Sequence, residues 1–313
     1  MLLYFSTNEE GDCVIIDYNS GIIEAILDKS NKILVNNIHF SIKENETLVL
    51  IGETGSGKTI VACSILKLLP DNVIIKNSHI VFNGINISEI KNMKQYLGKD
   101  IVYIPQSGLE CLNPSKTVRS QMIDSLKINH IKNDKWDETC KELLQKVGLT
   151  NYDSVLNKYP FELSGGMAQK ITIALASCSN PKLIIADEPT NGLDNEAKQN
   201  IIKLITDLFP DSAKLLITHD ISLAKYADRL MVLNNGVMME EGTTNEVINN
   251  PKHPYTMALI NSLVENNLQE TPKLRNGKAL CPFYKKCPRA TDDCLSKVTL
   301  HEKNSRKWNC IYD

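Results

Sequence analysis

Eight residues, Gly52-Glu53-Thr54-Gly55-Ser56-Gly57-Lys58-Thr59, fit the pattern G-x-x-x-x-G-K-S/T at every position, and they narrow the possible folds more than any other feature. The apolar run Leu48–Ile51 precedes them and reads as a buried strand. A helical spacing of Ile60, Cys63, Ser64 and Leu68 follows, stopped by Leu69-Pro70-Asp71. A strand, a glycine-rich turn and a helix in that order make a cradle for phosphate. Glycines let backbone N–H groups turn inward where side chains would obstruct them, and the helix N-terminus adds a dipole that favours anions. Lys58 is placed to reach the β- and γ-phosphates of a triphosphate, and Thr59 to hold Mg²⁺.

The rest of the chain alternates in the manner of an α/β protein. Short β-rich segments (CVIID, GIIEAIL, NKILVNNIHFSI, ETLVLIG) fill residues 14–51, broken at Tyr18-Asn19-Ser20-Gly21 and at Lys43-Glu44-Asn45-Glu46. Residues 119–178 carry mostly helical patterns interrupted at Pro160. Beyond 183 the order is LIIAD, a helix from about Glu196 to Phe209, KLLITHD, a helix from about Ser222, and RLMVLNNG. Alternating βα units predict a largely parallel sheet flanked by helices. The polar stretch Glu265–Gly277 reads as a linker. At 313 residues with 42% apolar and 23% charged positions, the chain can bury a substantial core. Its formal net charge of −2 offers no global positive field for nucleic acid. No apolar run reaches the roughly 18–20 residues of a membrane-spanning helix, and the start, MLLYFSTNEEGDC, lacks the pattern of a secretory signal.

A second acidic feature sits downstream. Leu183–Ala186 ends in Asp187-Glu188, and in a parallel sheet the ligand crevice lies beyond the C-terminal strand ends. Asp187 suits Mg²⁺, whereas Glu188 points differently and can polarise an attacking water as general base. Just ahead, Leu163-Ser164-Gly165-Gly166-Met167-Ala168-Gln169-Lys170 opens a helical pattern with another backbone anion site at Ser164, Gly165 and Gly166. One domain rarely needs two such sites for one triphosphate, so the second points to a nucleotide held by another subunit.

LSGGMAQK resembles the signature sequence of ABC transporter ATPases, in the variant found in peptide and nickel importer subunits. The other motifs fall in that family's order. Gln106 in Tyr103-Ile104-Pro105-Gln106 resembles the glutamine that touches Mg²⁺ or the lytic water and senses the membrane subunits. Asn191-Gly192-Leu193-Asp194 resembles the interface loop ending at Asp194, and His219 in Ile217-Thr218-His219-Asp220 resembles the switch histidine at the γ-phosphate. The resemblance covers residues from about 33 to 260. It implies ATP and Mg²⁺ as ligands, catalysis by Glu188, His219, Gln106 and Lys58, and head-to-tail pairing with a second, related ATPase or with itself. It also implies two membrane permease subunits, an extracytoplasmic solute-binding protein acting indirectly, and a position on the cytoplasmic face of the membrane. The chain departs from the family's pattern at four places. No aromatic residue for adenine stacking aligns at Ile26-Leu27-Asp28-Lys29, with Tyr18 a distant substitute. Asn45 replaces the turn glycine before the strand, Asn191-Gly192 alters the interface loop, and Ser107-Gly108-Leu109-Glu110 follows Gln106.

Four of the nine cysteines crowd into the last 33 residues as Cys281, Cys287, Cys294 and Cys310, spaced C-x5-C-x6-C-x15-C. Four thiolates satisfy tetrahedral zinc or a 4Fe–4S cluster, and gaps wider than C-x2-C favour the cluster over zinc, with free thiols as the third reading. The same pattern after His253-Pro254-Tyr255-Thr256 resembles the C-terminal extension of oligopeptide and dipeptide importer ATPases, where it is associated with a cluster. The expected architecture is therefore a phosphate-loop ABC ATPase core of mostly parallel sheet, with an antiparallel β subdomain. A helical subdomain at about 107–175 and a cysteine-rich extension complete it, dividing the chain into 1–264 and 265–313. The implied activity is ATP hydrolysis that powers peptide uptake. Nickel or metal-chelate uptake is the nearer alternative; a soluble ABC ATPase outside transport and a non-hydrolysing switch are the remoter ones.

Overall fold

Five short strands lead up to the phosphate loop in a computed structural model of the chain, which describes residues 13–27, 30–131, 135–264 and 279–312. They are β1 (Val14–Asn19), β2 (Ile22–Ile26), β3 (Asn31–Asn36), β4 (His39–Lys43) and β5 (Thr47–Ile51). Asn37, at φ 48°, separates β3 from β4 within the run NKILVNNIHFSI, and Asn45, at φ 64°, turns the chain into β5. Asparagine tolerates this left-handed backbone better than other residues with a side chain. Next come α1 (Lys58–Leu66), β6 (Val73–Lys76), β7 (His79–Phe82), β8 (Ile85–Asn86) and β9 (Ile101–Ile104). The helical stretch holds α2 (Gly108–Cys111), α3 (Val118–Ile128), α4 (Trp136–Lys146), α5 (Tyr152–Asn157) and α6 (Gly165–Ala176). The alternating part follows with β10 (Leu183–Asp187), α7 (Asn195–Leu208), β11 (Ala213–Thr218), β12 (Arg229–Asn234), β13 (Val237–Thr243), α8 (Thr244–Asn249) and α9 (Pro254–Val264). The tail contains α10 (Asp293–Ser296), β14 (Leu300–Lys303) and β15 (Arg306–Asn309).

The described residues gather into two compact units. The first comprises residues 13–16, 42–46 and 89–217. In it β10 runs parallel to β9, with Leu183 opposite Ile101, and to β11, with Leu183 opposite Ala213. Every residue of β10 is buried, as expected of a parallel strand covered on both faces. Helices α2 to α6 occupy the predicted helical stretch. Pro160 opens a 3-10 turn there, in which the Tyr159 N–H donates to Glu162 Oε2 at 2.8 Å.

The second unit comprises residues 17–41, 47–88 and 218–312. Its central pair is β5 parallel to β12, and every residue of β5 is buried. From β12 the sheet continues antiparallel through β13 and β15 to β14. A separate antiparallel sheet joins β3, β2 and β6. Asn83 and Gly84, both at positive φ, turn β7 into β8 as a two-residue hairpin loop demands.

Two local expectations change. Leu68 lies beyond the end of α1 and is exposed, so the buried face of that helix is Val61, Ala62, Ile65 and Leu66. The segment expected to be an α-helix from Ser222 is instead a 3-10 turn, Ile221–Tyr226. Only six residues are available before the chain becomes extended at Ala227, and the 3-10 repeat stacks Ile221 over Ala224, both buried. The linker Glu265–Gly277, the Asp28-Lys29 part of the aromatic-free stretch and the first twelve residues lie outside the described residues.

Candidate functional site

The phosphate loop is braced from two sides by its own unit. Gly57, at φ +100°, is the N-cap of α1, and a Cβ there would stand 3.0 Å from Leu34 O. A Cβ on Gly52 would come within 2.2 Å of Leu233 O, at the end of β12. The Gly236 N–H donates to Ser56 O at 2.8 Å, and Gly236 O accepts the Asn36 N–H at 2.8 Å, so the β12–β13 turn ties the loop to β3. Buried Lys58 donates through Nζ to Gly52 O at 2.7 Å and to Glu53 O at 3.1 Å. The Ser56 hydroxyl is buried with no hydrogen-bond partner among the described residues. Gly55 and Thr59 are exposed, and no acidic residue in the first turn of α1 opposes an anion. The Glu53 N–H donates to the hydroxyl of Tyr255 in α9 at 3.2 Å.

The carboxylate pair belongs to the first unit. Asp187 ends β10, 3% exposed, and accepts a hydrogen bond from the Tyr103 hydroxyl at 3.3 Å. Glu188 adopts φ 49°, a left-handed conformation uncommon for any residue but glycine and costing on the order of 1–3 kcal/mol. It is held there because its N–H donates to Ile217 O at 2.8 Å while its carbonyl accepts the Asn191 N–H at 3.1 Å.

At the start of α6, Ser164 accepts the Met167 N–H at 3.2 Å as N-cap. Cβ atoms built on Gly165 and Gly166 would meet nothing within 4 Å. Two glycines in a first helical turn each cost up to about 1 kcal/mol, and here nothing in their own unit demands them. They leave the N-terminus of a twelve-residue helix bare to an approaching group. A cavity of about 460 Å³ beside it is lined by Gln106, Gly108, Gly165, Gln169, Asn191 and Leu193. Gln169 Nε2 donates to Pro105 O at 3.3 Å, and Gly108 packs so closely on Ala168 that a Cβ would stand 2.7 Å from its carbonyl carbon. The first unit thus brings together Gln106, Gly165 and the loop 191–193. Asp194 caps α7, its Oδ1 accepting the Ala197 N–H at 2.9 Å. His219 is exposed directly after β11.

Tyr18 cannot serve adenine. It is wholly buried, stacked on Phe40 with ring centroids 4.8 Å apart, and shares a hydrogen bond with Ser64 Oγ at 2.8 Å. In the tail the Cys281 thiol is raised to about 11, chiefly by burial and also by the nearby Cys287, Cys294 and Cys310 sulfurs, against the lowering effect of a hydrogen bond with the Phe283 backbone, so the four share one neighbourhood. Cys294 is buried with Tyr284 and Ala290 in an apolar cluster that Cys287 also touches. Among the described residues no three His, Cys, Asp or Glu side chains form a group that could hold a metal ion. The four-thiol donor set fits zinc or a cluster chemically, while the positions of the thiols do not reproduce a ligand cage. The sequence reading assigned no part to Tyr103, Gln169, Gly236 or Tyr255. For Gly236 a signal was available, since the Asn235-Gly236 pair is a strong turn dipeptide.

An α/β chain with a glycine-rich phosphate loop between a buried parallel strand and a helix, and with an Asp-Glu pair ending a second parallel strand, is a phosphate-loop nucleoside triphosphatase. Residues 35–191 match the family described as ABC transporter, and residues 239–294 match the oligopeptide/dipeptide transporter C-terminal region. The dipeptide transport ATP-binding protein DppD of Haemophilus influenzae is 36% identical over 293 residues, 88% of each chain. The metal-staphylopine import system ATP-binding protein CntD of Staphylococcus aureus is 37% identical over 73% of this chain and 86% of its own. The oligopeptide transport ATP-binding protein OppD of Bacillus subtilis is 38% identical over 73% of this chain and 66% of its own. A dimeric post-hydrolysis ATP-binding cassette bound to ADP and Pi superposes with a TM-score of 0.65 at 23% identity, over 73% of this chain and 98% of that one. The chain belongs to the ABC transporter family and is one of its ATP-hydrolysing subunits. Among the described residues no helix is long and apolar enough to cross a membrane.

Proposed function

We propose that this subunit powers the import of dipeptides or oligopeptides through two separate membrane permease subunits, bound peripherally at the cytoplasmic face of the membrane and fed by an extracytoplasmic solute-binding protein. The observation that carries the reading is the pairing of a complete phosphate loop with the oligopeptide/dipeptide C-terminal region in one chain. Import of a metal chelate is the second reading, favoured by the similarity to the metal-staphylopine protein. No role in binding nucleic acid is assigned. Residues 1–264 serve as the nucleotide-binding domain and 265–313 as the extension.

In the proposed mechanism, backbone N–H groups of Gly52–Thr59 surround the phosphates of ATP, and Lys58 exchanges its carbonyl partners on Gly52 and Glu53 for phosphate oxygens. Thr59, Asp187 and Gln106 would hold Mg²⁺, which would supply positive charge to offset that of the phosphates. Glu188 takes a proton from the attacking water, and His219 steadies the γ-phosphate. Ser164, Gly165 and Gly166 offer the bare end of α6 to a nucleotide held by a second, related ATPase, with Asp194 at the same interface. This second subunit is a different chain or another copy of the same one. Glu188→Gln keeps the side chain's shape but removes the base. ATP hydrolysis is expected to fall by about a hundredfold or more while ATP-bound dimers accumulate. Unchanged turnover in that variant would remove Glu188 from its role. Uptake assays with labelled dipeptide and with a nickel chelate in vesicles carrying the whole transporter separate the two substrate readings.

Cys281, Cys287, Cys294 and Cys310 are proposed to hold a 4Fe–4S cluster, with zinc as the alternative. Their common neighbourhood supports this, since four cysteine sulfurs gathered in one place, Cys294 buried and the others half-buried, form the donor set that a cluster or zinc takes. Iron and sulfide content of the protein purified without oxygen decides the matter. About four irons per chain are expected, and stoichiometric zinc would replace the cluster.

A further inference from the structure

The tail and the phosphate loop meet through two residues at the start of α9. Tyr255 is 1% exposed, and its hydroxyl accepts the Glu53 N–H at 3.2 Å. The other side of the same residue is held too, because Glu53 O accepts from Lys58 Nζ at 3.1 Å and from the Ser56 N–H at 3.1 Å. Tyr255 is therefore the part of the clamp on Glu53 that comes from outside the loop.

The tail reaches Tyr255 directly through Phe283 and indirectly through the turn before α9. The Phe283 ring packs tilted against Tyr255 at 5.3 Å between centroids and against His253 at 6.4 Å. His253 Nδ1 accepts the Tyr255 N–H at 2.9 Å, which leaves Nε2 as the protonated nitrogen of the neutral ring, 3.9 Å from Cys281 Sγ. A second tail contact reaches the same place. Buried Glu240 accepts the backbone N–H groups of Lys252 and His253, both at 2.9 Å, and is paired with Arg306 of β15. Phe283 and Arg306 thus converge on the turn that aims the Tyr255 hydroxyl at the loop.

We propose that Tyr255 is a positioning residue of the phosphate loop and that the cysteine-bearing tail sets its position through Phe283, so that the state of the tail is read at the nucleotide site. The inference rests on the reading that Gly52–Thr59 binds ATP. It takes the tail to be a regulator of nucleotide affinity and not only a stabilising appendage.

The test uses the full chain, titrated with a fluorescent ATP analogue and followed by hydrogen exchange at the Glu53 amide. Tyr255→Phe keeps the ring and its packing on Phe283 but removes the acceptor. It is expected to weaken nucleotide binding about fivefold, the size of one hydrogen bond, and to speed exchange at Glu53. Phe283→Leu, which nearly preserves volume, is expected to shift both readouts in the same direction, with Phe283→Met as the substitute where Leu folds poorly. The double variant is expected to bind no more weakly than Tyr255→Phe alone, since both act through one contact. Additive losses, or Glu53 exchange unmoved by Tyr255→Phe, would overturn the proposal. A merely structural tail would lower the unfolding midpoint without moving Glu53 exchange in the folded state. Lys58→Ala serves as the control. Lack of analogue binding by the unaltered chain would sink the nucleotide reading, while Glu53 exchange, which needs no nucleotide, still decides the link to Tyr255.

Discussion

Glu188 and Gly236 illustrate two ways in which one residue shapes this site. Glu188 accepts a strained left-handed backbone where β10 ends, and the Ile217 carbonyl and Asn191 amide hold it there. Gly236 is glycine because a Cβ at φ +75° would lie 2.2 Å from Leu34 O, a backbone carbonyl that cannot step aside as a flexible side chain could. Gly236→Ala is expected to lower the free energy of unfolding by about 3 kcal/mol, from the left-handed strain plus the overlap, in urea denaturation. It is also expected to weaken nucleotide binding, because the Gly236 N–H holds Ser56 O. The motif residues of the loop were legible in the sequence because glycine, lysine and threonine at fixed spacing have a single efficient use. Tyr255 was not, since its partner lies 202 positions away and a tyrosine on an apolar helix ordinarily reads as core. Asp194 was half legible: its place before α7 is a cap by ordinary helix chemistry, whatever else it does across an interface.

Among the elements, strands buried along their full length were the easiest to read. β5 and β10 are unbroken apolar runs with glycine or acid at their ends. The 3-10 turn Ile221–Tyr226 was misread because one turn of helical spacing fits both geometries, and only the length of chain before β12 decides between them. The join between α2 and α6 had no sequence signal, as Gly108 looks like an ordinary loop residue until Ala168 is seen against it. β13 carries a testable electrostatic feature. Glu241 is paired with Arg229, yet burial holds its carboxyl above the usual value of 4.5, and one oxygen lacks a hydrogen-bond partner among the described residues. An acid whose native pKa is raised contributes stability below its unfolded value and loses it as pH rises through the native one. The stability of Glu241→Gln relative to the unaltered chain is therefore expected to improve from pH 4.5 towards pH 7. Urea denaturation across that range checks the sign.

At the scale of the molecule, the class of fold followed from motif order, and the position of the tail did not. Four cysteines suggested a metal- or cluster-binding extension and said nothing of where it packs. The structure pairs β15 with β13, Glu240 opposite Trp308 and Glu241 opposite Lys307, and buries Arg306 against Glu240. Spacing between cysteines carries no information about which strand a hairpin will join. That pairing also gives the tail a protective duty. An unpaired strand is a template on which another chain can add itself. With β15 in place, the outermost strand becomes β14, four residues long, with His301, Glu302 and Lys303 along it. Removal of the residues after 264 would strip β13 of its neighbour and leave a longer, more apolar border open to self-association. Light scattering of the shortened chain at rising concentration is expected to show growing particles where the full chain stays constant. The tail would then have kept the ATPase from meeting copies of itself edge to edge, leaving it available for the partners that carry its work across the membrane.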